Sequence, residues 1–100
     1  MSDDSNQQFL KVANTFLDAL NVRYMEADLD DQLALQEERD RAIHAYSQAR
    51  LALLQRSVLC KPDDLTKMSQ LRDQISQASD MQQVINTAIN FAGFLASRFL

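Results

Sequence analysis

Residues that interrupt regular structure are scarce in this sequence. Its 100 residues include one glycine, Gly93, and one proline, Pro62, whereas an average chain of this length has about seven and five. Folds rich in β-turns depend on these residues, so their scarcity argues against such folds. No glycine or proline lies between Asn6 and Cys60, where one unbroken helix would be roughly 80 Å long. A compact domain has no room for such a rod, so we expect a break.

A second cysteine is missing as well, so Cys60 cannot form a disulfide within the chain. The N-terminus lacks the basic region and apolar stretch of a secretory signal, and we expect a cytoplasmic protein. The hydrophobic fraction of 46% and the charged fraction of 24% are those of a chain that folds. The length predicts a single domain over residues 1–100.

Charge is unevenly distributed along the chain. The net charge is −4, which disfavours binding to nucleic acid. Residues 1–40 hold ten acidic and three basic residues, whereas residues 41–100 hold four and seven. An antiparallel arrangement of the two halves would let them attract each other. Basic residues are frequent from Arg39 to Arg72, but Asp63 and Asp64 at the start of a helix would repel phosphates. We therefore expect no nucleic-acid partner.

Apolar side chains recur every three or four residues, which predicts an all-α fold of three or four helices. The helices are expected at about residues 6–28, 31–60 and 63–99, with residues 1–5 frayed and a joint near residue 80. Ser5 and Gln8 match a capping box for the first helix. Asp28 or Asp30 suits the start of the second, and Pro62 ends it. We expect an antiparallel helical hairpin or bundle whose core is completed by self-association.

Two periodic series support this fold. Small residues at heptad spacing in the second helix predict close helix packing, unless alanine is present there only because it favours helix formation; they are Ala42, Ala45, Ala49 and Ala52. From Met68 to Phe99, apolar residues follow an a/d heptad pattern that is interrupted at Gln82. Ser79 and Asp80, followed by Gln83, match the cap of a new helix, and this is the reason to expect a joint near residue 80.

The sequence lacks the combinations of residues that are typical of catalytic sites. The single histidine, His44, has only Asp40 at metal-ligand spacing, and two such ligands make a weak site. Cys60 has no histidine near it in the sequence to activate its thiol. The chain contains no glycine-rich phosphate loop and no nucleophile motif. We expect no enzyme activity, no cofactor and no metal.

A cluster of carboxylates marks the junction of the first two predicted helices. It consists of Glu26, Asp28, Asp30 and Asp31. The segment lacks the central glycine and the closing glutamate of an EF-hand loop, so calcium is not expected. Two interpretations stay open. The cluster is either a solvated helix junction or an acidic docking patch for a basic partner.

The last twenty residues form the most apolar part of the chain. Polar residues interrupt them too often for a membrane span, and Arg98 is their only charge, too little for an interfacial membrane helix. The apolar side belongs either to the core or to a contact with a partner. We expect a lone chain of this length to leave part of this side uncovered. This interpretation predicts four interface residues in this segment, Phe91, Leu95, Phe99 and Leu100. The alanine series of the second helix, Ala42, Ala45, Ala49 and Ala52, is predicted to belong to the interface as well.

These observations predict a non-enzymatic helical protein–protein interaction module, such as an adaptor, assembly subunit or chaperone. Its partners would be itself and another protein, engaged through apolar helix faces. An alternative is an acidic inhibitor or immunity-type protein, phage or bacterial, that blocks a basic site. The helix pair joined at Pro62 and Asp63, with its apolar C-terminal end, resembles needle subunits and small chaperones of bacterial secretion systems. This resemblance spans residues 43–100, implies a helical secretion-apparatus subunit or its chaperone, and transfers no site residue.

Overall fold

The structure is a computed structural model that describes residues 2–55 and 59–100, with side chains from Ser5 onward. The described residues form four α-helices and no strand. They are α1 Ser2–Glu26, α2 Leu29–Leu54, α3 Pro62–Gln77 and α4 Met81–Phe99. The expected all-α fold is confirmed. The helix predicted to extend to residue 60 ends earlier, at Leu54, and residues 56–58 of that prediction lie outside the described part of the chain.

Local side-chain hydrogen bonds set the starts of α2 and α4. The carboxylate of Asp28 accepts from the Asp31 N–H at 2.9 Å, and the carboxylate of Asp80 accepts from the Gln83 N–H at 2.9 Å. Each satisfies a backbone donor that has no partner in the first turn of a helix. The Gln83 side chain accepts in return from the Ser79 N–H at 2.8 Å. Both starts agree with the caps predicted from the sequence.

The starts of α1 and α3 differ in how well the sequence predicts them. Pro62 occupies the first turn of α3, where its missing N–H is no loss. The Asp64 carboxylate accepts from the Lys61 N–H at 2.9 Å and completes that start. Helix α1, in contrast, begins at Ser2. The predicted cap Ser5 therefore lies inside the helix, and the expected start near residue 6 is wrong.

The four helices alternate in direction and form a bundle of 43 × 21 × 18 Å. Helix α1 packs against α2 and α3, and α4 packs against the same two helices. Within the described residues, α2 and α3 share no contact and occupy diagonal corners. The radius of gyration of 13.3 Å matches that of a compact 100-residue chain. The helix break at residues 27–28 therefore lets α1 and α2 fold back on each other instead of forming one long helix.

One core runs along the bundle, with an aromatic column between α1 and α4. Phe16 and Phe91 stack with centroids 4.1 Å apart and ring planes at 4°. Phe9 meets Phe99 edge-on at 5.1 Å. Such ring pairs add to the stabilisation from burial itself. The largest fully buried side chains are Phe9, Phe16, Leu20, Leu35, Leu53, Met68, Leu71, Ile75, Val84, Phe91 and Leu95.

The heptad register predicted from Met68 to Phe99 holds in α3 but not in α4. Met68, Leu71 and Ile75 are buried, whereas Ile89, on the predicted buried side, is 46% exposed. The buried residues of α4 are Val84, Thr87, Ala88, Phe91, Leu95 and Phe99. The chain reverses at residues 78–80, and this reversal resets which side of the following helix faces the core. A single register across it is therefore wrong.

The end of α2 and the start of α3 lie at diagonal corners of one end of the bundle, and we call the described residues between these helices, Gln55 and residues 59–61, the crossing. Asn6 of α1 holds this region. The buried Asn6 side chain donates from Nδ2 to the Leu53 carbonyl at 3.3 Å and accepts from the Cys60 N–H at 2.9 Å. Both bonds link residues far apart in sequence. The buried Asn6 amide therefore links α1 both to the end of α2 and to the residues that precede α3.

Arg98 of α4 holds the same crossing from the other side. Its Nε donates to both carboxylate oxygens of Asp64, at 2.8 and 2.9 Å, and its Nη2 donates to the Leu59 carbonyl at 3.0 Å. Asp64 is only 5% exposed, so the guanidinium compensates a carboxylate that would otherwise be buried without a counter-charge. This pair joins the start of α3 to the end of α4.

Candidate interaction surface

The four C-terminal residues predicted as interface anchors lie in different environments. Phe91 and Leu95 are fully buried and Phe99 is 5% exposed, whereas Leu100 is 57% exposed. Phe91 stacks on Phe16 within the same chain. The expectation that Phe91, Leu95 and Phe99 are exposed for a partner is therefore corrected. The physical reason is that α1 of the same chain covers this side, because Phe16 stacks on Phe91 and Phe9 meets Phe99 edge-on.

The alanine series of α2 also faces the interior. Ala42 and Ala49 are fully buried, Ala45 is 7% exposed and Ala52 is half-buried. Their small side chains permit a close approach, and the helices that approach α2 belong to the same bundle, α4 above all. The prediction that this series forms a contact with another chain is corrected accordingly, because it belongs to the core.

The predicted acidic patch lies where α1 turns into α2. Glu26, Asp28 and Asp30 are exposed, and Asp31 is half-buried. The carboxylate of Asp28 is engaged as the cap of α2. Glu26 and Asp30 form no ion pair with the described residues. The structure thus brings the four carboxylates together at one end of the bundle, where three of them face solvent.

Exposed large apolar side chains are concentrated on the α1–α2 hairpin. Six of the nine in the described residues lie there, which we call the hairpin face: Val22 49%, Met25 74%, Leu29 69%, Leu33 62%, Leu51 57% and Leu54 57% exposed. The other three, Leu59, Ile89 and Leu100, are distributed over the crossing and α4. Single exposed apolar residues are ordinary, but a group on one hairpin marks an interaction surface.

Helical spacing places the leucines of the hairpin face on one side of α2. At about 100° per residue, Leu29, Leu33, Leu51 and Leu54 all project away from the side that carries Ala42. Helix α2 therefore has apolar side chains on both its buried and its exposed side. Sequence reasoning missed this second set, although its intervals of four residues from Leu29 to Leu33, 18 from Leu33 to Leu51 and three from Leu51 to Leu54 place it on one side of a helix.

The α1 part of the hairpin face continues the same surface. Val22 and Met25 project from α1 on the side away from the buried Phe16. Near the tip the Gln32 side chain donates to the Tyr24 carbonyl at 2.9 Å and fixes the register of the two helices. Val22 and Met25 thereby lie beside the leucines at the start of α2, and the hairpin presents four exposed apolar side chains at its tip.

Polar and charged side chains occupy the middle of the same surface. A groove of about 570 Å³ between α1 and α2 is lined by Gln7, Leu10, Lys11, Asn14, Tyr46, Ser47 and Arg50. Lys11 and Arg50 form no ion pair with the described residues. The pKa of the Tyr46 hydroxyl is raised above its ordinary value, mainly by burial; Arg50 opposes this rise and Asp18 adds to it. The groove thus combines two free cations with uncharged hydrogen-bonding groups.

The two residues considered for chemistry lie apart from each other. Cys60 is half-buried at the crossing, where burial and then Asp64 raise the pKa of its thiol from 9.0 to about 11, against a lowering by Arg98. A neutral thiol is a poor nucleophile. His44 is exposed on α2. Among the residues with described side chains, no three His, Cys, Asp or Glu are grouped so that they could hold a metal ion.

None of the helices in the described ranges is both long and apolar enough to cross a membrane. The chain matches no known protein family, no curated protein and no solved structure.

Proposed function

We propose that the chain is a non-enzymatic helical interaction module that acts in the cytoplasm and engages other proteins, including copies of itself, through the hairpin face. The observation that carries the proposal is the grouping of six exposed large apolar side chains on one hairpin. An adaptor, assembly subunit or chaperone uses such a surface. A secretion-apparatus subunit or its chaperone is a special case, and it rests on the resemblance of residues 43–100 alone.

The energetic support comes from the cost of leaving these side chains in water. Complete burial of one large aliphatic side chain is worth about 1.5–3 kcal/mol relative to exposure. With each of the six about half to three-quarters exposed, the hairpin face retains about 5–11 kcal/mol of unused burial. A partner recovers part of this, the remainder being offset by the entropy cost of association.

A photoreactive amino acid placed at Leu33 tests the proposal in cells that express the chain. The matched control carries the same amino acid at the exposed Gln70 of α3. We expect adducts of defined mass at Leu33 and none at Gln70. Adding Leu29→Gln to the Leu33 variant should reduce the adduct, because it removes a neighbouring apolar contact. Equal yields at both positions, or no adduct at Leu33, contradict the proposal.

An acidic inhibitor is the second candidate, and the exposed carboxylates at the tip favour it. Glu26, Asp28 and Asp30 face solvent together and suit a basic site on an enzyme or a nucleic-acid-binding target, in a phage or bacterial setting. Salt separates the two functions. Binding through carboxylates weakens steeply between 50 and about 500 mM salt, whereas apolar docking changes little. Glu26→Gln with Asp30→Asn should abolish binding through the carboxylates and leave apolar docking intact.

A further inference from the structure

We propose that the hairpin face binds a second copy of this chain, turned end for end about a two-fold axis, so that the two α1–α2 hairpins lie antiparallel. This inference rests on the function proposed above and adds the identity and the orientation of one occupant. It follows from the order of residues along the face: the exposed leucines of α2 are arranged alike when followed from either end, and the charged residues exchange sign.

The leucines of α2 are arranged symmetrically. Leu29 and Leu54 are equally distant from a point between residues 41 and 42, and Leu33 and Leu51 are equally distant from residue 42. A two-fold axis at this height sets Leu29 of one copy opposite Leu54 of the other, and Leu33 opposite Leu51. Each contact of a two-fold interface occurs twice. Apolar contacts between leucines therefore form at both ends of the interface.

Charged residues follow the same symmetry with opposite signs. Asp40 and His44 are equally distant from residue 42, so the carboxylate of one copy meets the imidazole of the other, which donates a hydrogen bond through a ring N–H. On α1, Lys11 and Asp18 are equally distant from a point between residues 14 and 15. Lys11 of each copy therefore faces Asp18 of the other, and neither residue has an ion-pair partner among the described residues.

The symmetry points of α1 and α2 lie at the same height in the hairpin. Near the tip, Gln32 reaches the Tyr24 carbonyl, and near the opposite end Asn6 reaches the Leu53 carbonyl. Between these two hydrogen bonds, the symmetry point of α1 lies beside residue 43, about 2 Å from that of α2. One axis therefore serves both helices.

A parallel arrangement brings like charges together. It places α1 of one copy over α2 of the other at equal heights, so that Asp18 lies beside Asp40 and Lys11 lies beside the turn that carries Arg50. The carboxylates of the two tips also meet. Like charges in an interface oppose association, and the antiparallel arrangement avoids each of these juxtapositions.

The surface is large enough for a stable pair. The bundle measures 43 × 21 Å in its two longer dimensions, and a standard interface buries roughly 800 Å² per partner. The hairpin side of the bundle accommodates that area.

Sedimentation over a concentration series, combined with a charge exchange, tests the pairing. We expect a dimer for the wild type and about tenfold weaker association for Lys11→Glu or Asp18→Lys, because each places like charges at two symmetric contacts. The double variant restores opposite charges and should associate like the wild type. Ile89→Gln, on another exposed surface, is the matched control and should change nothing. A monomeric wild type, or a double variant as weak as the single ones, overturns the inference.

Disulfide trapping tests the orientation in a Cys60→Ser background. Mixed chains carrying Leu33→Cys and Leu51→Cys should cross-link to each other. Neither should cross-link to itself, because like positions are about 27 Å apart in the antiparallel pair. Cross-linking of Leu33→Cys with itself overturns the orientation. A monomeric wild type whose Leu33 photoadduct contains a different protein overturns the dimer and leaves the proposed function standing, whereas a monomer without any adduct overturns both.

Discussion

Replacing Leu95 by alanine should destabilise the folded chain far more than the same change at Ile89 of the same helix. Leu95 is fully buried, whereas Ile89 is 46% exposed. Both substitutions remove three carbon atoms. At about 0.8 kcal/mol per buried carbon, Leu95→Ala loses roughly 2.5 kcal/mol of transfer free energy. The cavity left behind raises the loss to about 3–5 kcal/mol.

Ile89→Ala loses only about 1 kcal/mol, because half of the side chain is already in water and no enclosed cavity forms. Urea unfolding followed by circular dichroism measures both differences, provided that the slope with denaturant is unchanged. Repeating the measurement at two protein concentrations separates loss of folding from loss of association, since only the latter depends on concentration. A cost below 1 kcal/mol for Leu95→Ala would refute its place in the core.

Three further predictions concern the crossing between α2 and α3. Asn6→Ala should lower the free energy of unfolding by about 1–3 kcal/mol, and Asn6→Asp should lose at least as much, because a carboxylate cannot donate to the Leu53 carbonyl and is costly to bury; urea unfolding compares them. Arg98→Met should cost about 2–3 kcal/mol, since it leaves the buried Asp64 carboxylate without its cation, and Arg98→Met with Asp64→Asn should recover part of that loss. The raised pKa of Cys60 should slow its alkylation at pH 8 about 100-fold relative to the unfolded chain, as measured by mass spectrometry. The same shift contributes stability that is complete below pH 9.0 and is lost as the pH rises through about 11.

Features that depend on a few neighbouring residues were predictable from the sequence. The caps at Asp28 and Asp80 involve N–H groups three residues away. Pro62, in contrast, was expected to end α2, but α2 ends at Leu54 and Pro62 lies in the first turn of α3. The start of α1 was misjudged because Ser5 satisfies the same local pattern while the helix continues through it. Local rules therefore place most boundaries but cannot exclude a longer helix.

The exposed face of α2 could not be predicted from α2 alone. The helix has alanines on one side and leucines such as Leu33 and Leu51 on the other, and both sides are compatible with a core. Packing beside α4 selects the alanine side, because small side chains permit the closer approach. The covering of Phe91 likewise depends on Phe16, which is 75 positions earlier in the sequence. Such choices become apparent only when all four helices are placed.

The diagonal crossing divides the chain into two sequence-local hairpins. Because α2 and α3 share no contact in the part of the chain that the structure describes, the bundle depends on contacts between hairpins and not on continuity of the peptide at that point. Two separately produced fragments, residues 2–55 and 59–100, should therefore recombine by complementation. For the same reason, the intact chain should tolerate insertion of another domain between α2 and α3.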